Sequence, residues 1–219
     1  MGRLRRNRKY EEKLFNDTNV FIINHLEYIN NWKKQVFKNN NEIHIEIGCG
    51  KGDFINYLSK NNENINYVAI DKFPTVLYKA LSKVNKEMRN NLKIISTDAK
   101  ELNSVFGKGE VDKIYLNFSD PWPKKQHEKN RLTNISFLNI FFNILKDGGV
   151  IEFKTDNDIL FDYTVDVVKS NNMNIHYLSY DLYNDKEEIK FNVPTEYERK
   201  WHSAGKTIKK LFFQKYKFI

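Results

Sequence analysis

Two runs decide the fold: IHIEIGCGKGDF over residues 43–54, and INYVAID over residues 65–71. An apolar strand, Ile43–Ile47, breaks into Gly48, Gly50 and Gly52, and a helix is predicted to start at once, over Asp53–Lys60. A second strand, Asn66–Ile70, then ends at Asp71. Glycines between a strand and a helix let the backbone approach a ligand closely, and an acid about 20 residues further on can hold ribose hydroxyls. Glycines alone are weak evidence, since a tight turn needs them too. Asp71 is the second, spaced feature that makes the stretch read as a nucleoside site.

Outward from this unit, strands and helices keep alternating. Helix Pro74–Met88 and strand Lys93–Ser96 follow, then strand Lys113–Phe118, helix Ile135–Lys146, strand Val150–Lys154, helix Ile159–Ser170 and strand Ile175–Tyr180. The pattern implies an α/β fold, a mostly parallel sheet with helices on both faces, because parallel strands need crossover connections. Pro74 suits a first helical turn, and Gly148 and Gly149 suit a left-handed exit after Lys146. Before the sheet, Phe21, Ile22, Leu26, Ile29 and Val36 recur at roughly helical spacing, which predicts a leading helix over Asn19–Phe37. A last strand, Ile208–Tyr216, is expected to close a sheet edge. The expected organisation is a basic flexible arm over residues 1–18 and a single catalytic domain over 19–219.

A chain of 219 residues buries an adequate core without disulfides or metals. Its one cysteine, Cys49, has no partner for a disulfide, and its five histidines are scattered, so no metal is expected. No apolar run approaches the ~20 residues of a membrane span, and the opening MGRLRRNRKYEEK lacks the apolar core of a signal peptide. The expected location is the cytoplasm, with no membrane partner. A net charge of +8 says little by itself, but it concentrates in Arg3–Lys13, Lys124–Arg131 and Arg199–Lys217, and the last holds no acid. Three clusters describe a surface for an anionic partner, and Arg3, Arg5 and Arg6 belong to an arm that would collapse onto the phosphate backbone if that partner is RNA.

The turn separates one cofactor class from another. A dinucleotide fingerprint reads G-x-G-x-x-G, whereas this chain reads G-x-G-x-G behind Glu46. That carboxylate opposes a pyrophosphate and favours a ligand bearing an ammonium and a sulfonium, which is S-adenosylmethionine. Asp98, after the third strand, is placed to accept from an adenine amino group, or to cap the turn that follows it; the two roles are compatible. After the fourth strand comes SDPWPKKQHEKNRL, Ser119–Leu132. An ionised Asp120 is a pure acceptor and suits a base edge that presents only donors, such as guanine's ring N–H and exocyclic amine. Trp122, between two prolines, either stacks on a base or packs the loop.

On these residues the chain resembles the bacterial tRNA (guanine-N7-)-methyltransferases. The matches are EIGCGKGDF, the AID ending at Asp71, TDA at Asp98, SDPWPKK at Asp120, FKTDN at Asp156, and TEYERK followed by Gly205, in family order from about Glu42 to Gly205. The resemblance implies a Rossmann-like class I methyltransferase fold, a seven-stranded mostly parallel sheet with an antiparallel last strand. It implies transfer of a methyl group from S-adenosylmethionine to N7 of a guanosine in the tRNA variable loop, nominally position 46. Cofactor contacts are implied for Glu46, Asp71, Asp98 and Asp120, beside Gly48 and Gly50 of the turn. Substrate contacts are implied for Lys124, Asp156, Thr195, Glu196, Tyr197 and Glu198. Thr195 and Glu198 also match the capping box that opens a helix.

The chain departs from the family at Asp71, where Glu is frequent, and at Gln126 and Asn130, where Arg is frequent. Lys124, Lys125, Lys129 and Arg131 are left to carry the loop's charge toward RNA. Guanine N7 has an in-plane lone pair and no proton to lose, so Asp120 is expected to anchor the base and not to act as a general base. Both a monomer and a homodimer are compatible with the sequence.

Overall fold

The computed structural model describes residues 7–17, 19–84 and 90–215. The apolar runs at its centre are strands buried on both faces, as parallel strands under two helical layers must be. Among the described residues one sheet holds β1 (Glu42–Ile47), β2 (Ile65–Asp71), β3 (Leu92–Ser96), β4 (Val111–Asn117), β5 (Leu145–Thr155), β6 (Asn174–Ser179) and β7 (Lys209–Gln214). Their order is β3-β2-β1-β4-β5-β7-β6. The first five strands pair in parallel, and β7 runs antiparallel to both neighbours. The expected edge position of the last strand is corrected: β7 lies between β5 and β6, and β6 takes the edge.

One face is covered by α1 (Arg8–Phe15), α2 (Asp53–Asn61) and α3 (Pro74–Val84), whose Leu14, Phe54, Ile55, Leu77 and Ala80 share a core with Tyr67 and Ala69. On the other face α4 (Leu102–Val105), α5 (Ile135–Ile144) and α6 (Asp158–Ser170) pack Val105, Phe141, Phe161 and Val165 around Val68 and Ile70. The strand order reverses between β1 and β4. In such sheets the carboxyl ends of those two strands frame the ligand crevice.

Three expectations are revised. Within the expected basic arm over 1–18, Arg8–Phe15 form the helix α1: Asn7 caps it, Leu14 is buried, and Tyr10 stacks on Tyr78 of α3 at 4.8 Å. Arg3, Arg5 and Arg6 lie outside the described residues. The single helix over Asn19–Phe37 is broken. Val20 and Ile22 hydrogen-bond to Ile94 along the β3 edge, a 3₁₀ turn spans His25–Tyr28, and a π turn spans Trp32–Phe37. Distant partners outbid helical periodicity here. The Glu110 carboxylate accepts from the Asn30 and Trp32 N–H groups, each at 2.9 Å, and the Trp32 indole donates to the Val105 carbonyl. Lastly, α5 stops at Ile144 and β5 starts at Leu145. The next residue, Lys146, reaches Asp112 and Glu42 at the start of β4 and β1, which favours extended chain over another helical turn.

Candidate functional site

Backbone bonds from the end of β2 shape the turn after β1. Ile70 O accepts from Gly48 N and Cys49 N, while Asp71 accepts from Gly50 N at 3.1 Å through one oxygen and Phe73 N at 2.9 Å through the other. Asp71 therefore braces the glycine turn, and its burial raises its carboxyl above the ordinary value. Gly48 and Gly50 have φ of +77° and +55°, and a Cβ on either meets nothing within 4 Å. Gly52 differs: a Cβ there would come within 2.8 Å of the Ala80 Cβ, so its bareness lets α2 start against α3.

A cavity of about 440 Å³ opens at the reversal point, lined on one side by Glu46, Gly48, Cys49, Gly50, Lys51, Asp53 and Phe54. Asn117, Phe118, Thr195, Glu196, Tyr197 and Lys200 line the other. Glu46 is buried at its floor. Its Oε1 accepts from the Asn117 amide at 2.9 Å, while Glu46 Oε2 and Asn117 Oδ1 are buried without hydrogen-bond partners. Buried acceptors left unmatched ask for donors that the protein lacks. Burial pushes the Glu46 carboxyl up to about 8, with the Asn117 amide and the Lys154 ammonium opposing it. A cationic ligand would ionise and satisfy it. The unmatched acceptors at the cavity floor thus fit the ammonium end of S-adenosylmethionine.

The far wall is α7 (Glu196–Ser203). Thr195 caps it through both halves of the predicted capping box: Glu198 N donates to Thr195 Oγ1, and Thr195 N donates to Glu198. Glu198 is fully buried, accepting from Lys154 Nζ at 2.7 Å, Asn192 Nδ2 at 2.6 Å and Tyr183 OH at 3.2 Å. Its carboxylate has no face toward the cavity's lining, so direct substrate contact is corrected to an anchoring place inside the fold.

The Ser119–Leu132 loop leaves β4 through Phe118, at φ +51°, and passes Trp122, at φ +43°. Neither is glycine, so this shape is imposed from outside the loop. Phe118 N donates to the Lys154 carbonyl at 2.8 Å, and its ring lies 5.1 Å from that of Tyr197. Arg131 is the loop's clasp: it is 2% exposed, donates to the Pro121 and Trp122 carbonyls, and lies over the Tyr163 ring at 4.3 Å. The expectation that Arg131 meets RNA is corrected, because two loop carbonyls and an aromatic face already occupy its buried guanidinium.

Lys124, Lys125, Lys129 and Asp120 are exposed. Asp120 and Asp156 stand outside the cavity lining but near it, since after burial both carboxylates contribute to raising the Tyr197 phenol. Asp98 caps the turn over Ala99–Glu101 by accepting from Lys100 N, and neither it nor Asp71 lines the cavity. The structure therefore brings Glu46, Gly48, Gly50, Thr195, Glu196 and Tyr197 together. It adds Asn117, Phe118 and Lys51 to the lining, with Lys154 buried nearby; the EIGCGKGDF and FKTDN runs contain Lys51 and Lys154 without singling them out, and no motif signalled Asn117 or Phe118. Among the described residues no helix is long and apolar enough to cross a membrane, and no cluster of metal-ligating residues occurs.

Comparisons with known proteins give the family and the fold. A family described as "Putative methyltransferase" matches residues 40–211. The chain is similar to a tRNA (guanine-N(7)-)-methyltransferase of Malacoplasma penetrans, 49% identical over 213 residues and 96% of each chain. A protein of the same description from Ureaplasma urealyticum is 48% identical over 89% of each chain. In fold it is similar to the 16S rRNA methyltransferase KamB, with a TM-score of 0.61 at 13% identity over 84% of this chain and 92% of that one. A 16S rRNA (adenine(1408)-N(1))-methyltransferase from Catenulisporales acidiphilia, solved with cosubstrate SAM, gives 0.59 at 14% identity over 86% and 91%.

Proposed function

Because the chain belongs to the tRNA (guanine-N(7)-)-methyltransferase family, we propose that the guanosine it methylates lies in the tRNA variable loop, nominally at position 46. The protein is a methyltransferase that uses S-adenosylmethionine and acts on N7 of guanine in tRNA. The observation that carries the cofactor's place is the pair of unpartnered acceptors, Glu46 Oε2 and Asn117 Oδ1, on the floor of a glycine-walled cavity.

Glu46 would hold the ammonium end of the cofactor, Gly48 and Gly50 would leave it room, and Asp71 and Asp98 would accept from its ribose and adenine. When bound, S-adenosylmethionine supplies an electrophilic methyl group. The chain's own task is alignment, since guanine N7 attacks with an existing lone pair and no proton moves. Holding two reactants in line is worth roughly 7–11 kcal/mol in favourable cases. Asp120 would accept from the base's N–H donors, an interaction that strengthens as the purine becomes positive. Lys124, Lys125 and Lys129 would meet phosphate, with Asp156, Glu196 and Tyr197 around the acceptor.

Incubation with unmodified tRNA and labelled cofactor, followed by mapping of the labelled nucleotide, tests the acceptor. Label on a variable-loop guanosine is expected, and label elsewhere refutes the position. Asp120→Asn should lower kcat by about 100-fold at saturating tRNA; wild-type turnover would remove Asp120 from the mechanism.

A further inference from the structure

Lys154 is fully buried at the carboxyl end of β5, and its two ends hold different parts of the acceptor side. Its carbonyl accepts from Phe118 N at 2.8 Å, where the Ser119–Leu132 loop departs from the sheet. Its ammonium donates to Glu198 Oε2 at 2.7 Å, the Val193 carbonyl at 2.9 Å and Asn192 Oδ1 at 3.0 Å. An ammonium has three N–H donors, and all three go to the segment that leads into and starts α7. The same group lies 5.2 Å from the centre of the Phe54 ring, which lines the cavity beside Glu46.

We propose that Lys154 is a positioning residue for methyl transfer: it fixes the Asn192–Glu198 segment and the Phe118 loop against each other on one side of the cavity. A buried ion pair is weak evidence for stability, since apolar side chains of similar volume often hold a core as well. What an apolar residue at 154 would lack is direction. Three donors aimed at three acceptors fix where Thr195, Glu196 and Tyr197 stand, and Tyr197 in turn packs on Phe118. The inference rests on the reading that these residues surround the acceptor base.

The test compares Lys154→Met, the pair Lys154→Met with Glu198→Gln, and Asn192→Ala. For each, Tm, the Kd of S-adenosylhomocysteine, and kcat and KM on a tRNA transcript are measured. Lys154→Met alone strands a buried carboxylate and should lose stability. The double variant removes that charge, so it should regain most of the lost Tm and bind S-adenosylhomocysteine within about threefold of wild type. Its kcat should nevertheless stay at least about 20-fold low. Asn192→Ala keeps both charges and should lower kcat about threefold to tenfold at unchanged cofactor Kd.

A double variant with wild-type kcat overturns the proposal, because the pair would then be scaffolding only. So does a cofactor Kd that weakens in step with kcat, or an Asn192→Ala enzyme with wild-type kcat and KM, whatever the lysine variants do. If wild-type label maps to a different nucleotide, the position of the acceptor fails. The variants are then compared on that nucleotide, and the role of Lys154 is judged separately.

Discussion

The cavity wall that carries Gly48 and Gly50 is tied through its own main-chain N–H groups to the end of the adjacent strand β2, whereas the opposite wall is held by side chains from distant segments. On the first, Ile70 O and Asp71 gather the N–H groups of Gly48, Cys49 and Gly50. On the second, Arg131 clasps Pro121 and Trp122, and Lys154 draws in Asn192, Val193 and Glu198. The first wall leans on one side-chain carboxylate, Asp71, beside its backbone bonds. The second depends on individual charges, each buried and each matched.

The largest effect should come from breaking the side-chain wall. Arg131→Met leaves two loop carbonyls without their charged donor and should cost roughly 2–4 kcal/mol, read as a lower Tm. kcat/KM for tRNA should fall while S-adenosylhomocysteine affinity holds. An unchanged Tm with a flatter salt dependence of tRNA binding would mean that Arg131 meets phosphate after all.

Glu46 sharpens the description of the main-chain wall, because its titration is linked to ligand charge. Its folded value of about 8 lies above the ordinary 4.5, so the folded state holds the proton more tightly. Stability should fall as pH rises from about 4.5 to about 8, and Glu46→Gln, lacking this slope, should be more stable than wild type near pH 7 by roughly 3 kcal/mol. A cationic cofactor selects the ionised form, so its affinity should rise up to about tenfold per pH unit between pH 5.5 and 7. A wild-type enzyme with pH-independent affinity over that window would detach Glu46 from the cation.

The smallest effect lies where the walls meet at the mouth. Lys51 Nζ bonds both oxygens of Glu196 at 3.0 Å, but the side chains are 48% and 59% exposed. Lys51→Ala should shift Tm by less than about 2 °C. A larger shift would show that the walls support each other through this bridge.

The same contrast explains what could be read before the fold was known. The glycine turn and Asp71 are neighbours on paired strands, and local spacing reveals them. The capping box of Thr195 and Glu198 is equally local. Arg131 looked like one more cation in a basic loop, since nothing nearby says that the chain folds back over its guanidinium. Lys154 read as a strand residue inside a motif, because its partners lie 38 to 44 positions away. The segment 19–37 went wrong for the same reason: its apolar spacing is helical, but Glu110 and Ile94 supply stronger bonds from afar.

The placement of β7 also sets an order of events during synthesis. β6 pairs only with β7 among the described strands, and β7 is made after it. While a nascent chain emerges, the edge of β5 stays bare and β6 has no berth until β7 has been made and released to pair. Lys210, which β7 brings to Glu152 and Glu188, arrives with it. The wall that includes α7 hangs from β5, so the half of the cavity proposed to meet RNA is completed last, after the half proposed to hold the methyl donor.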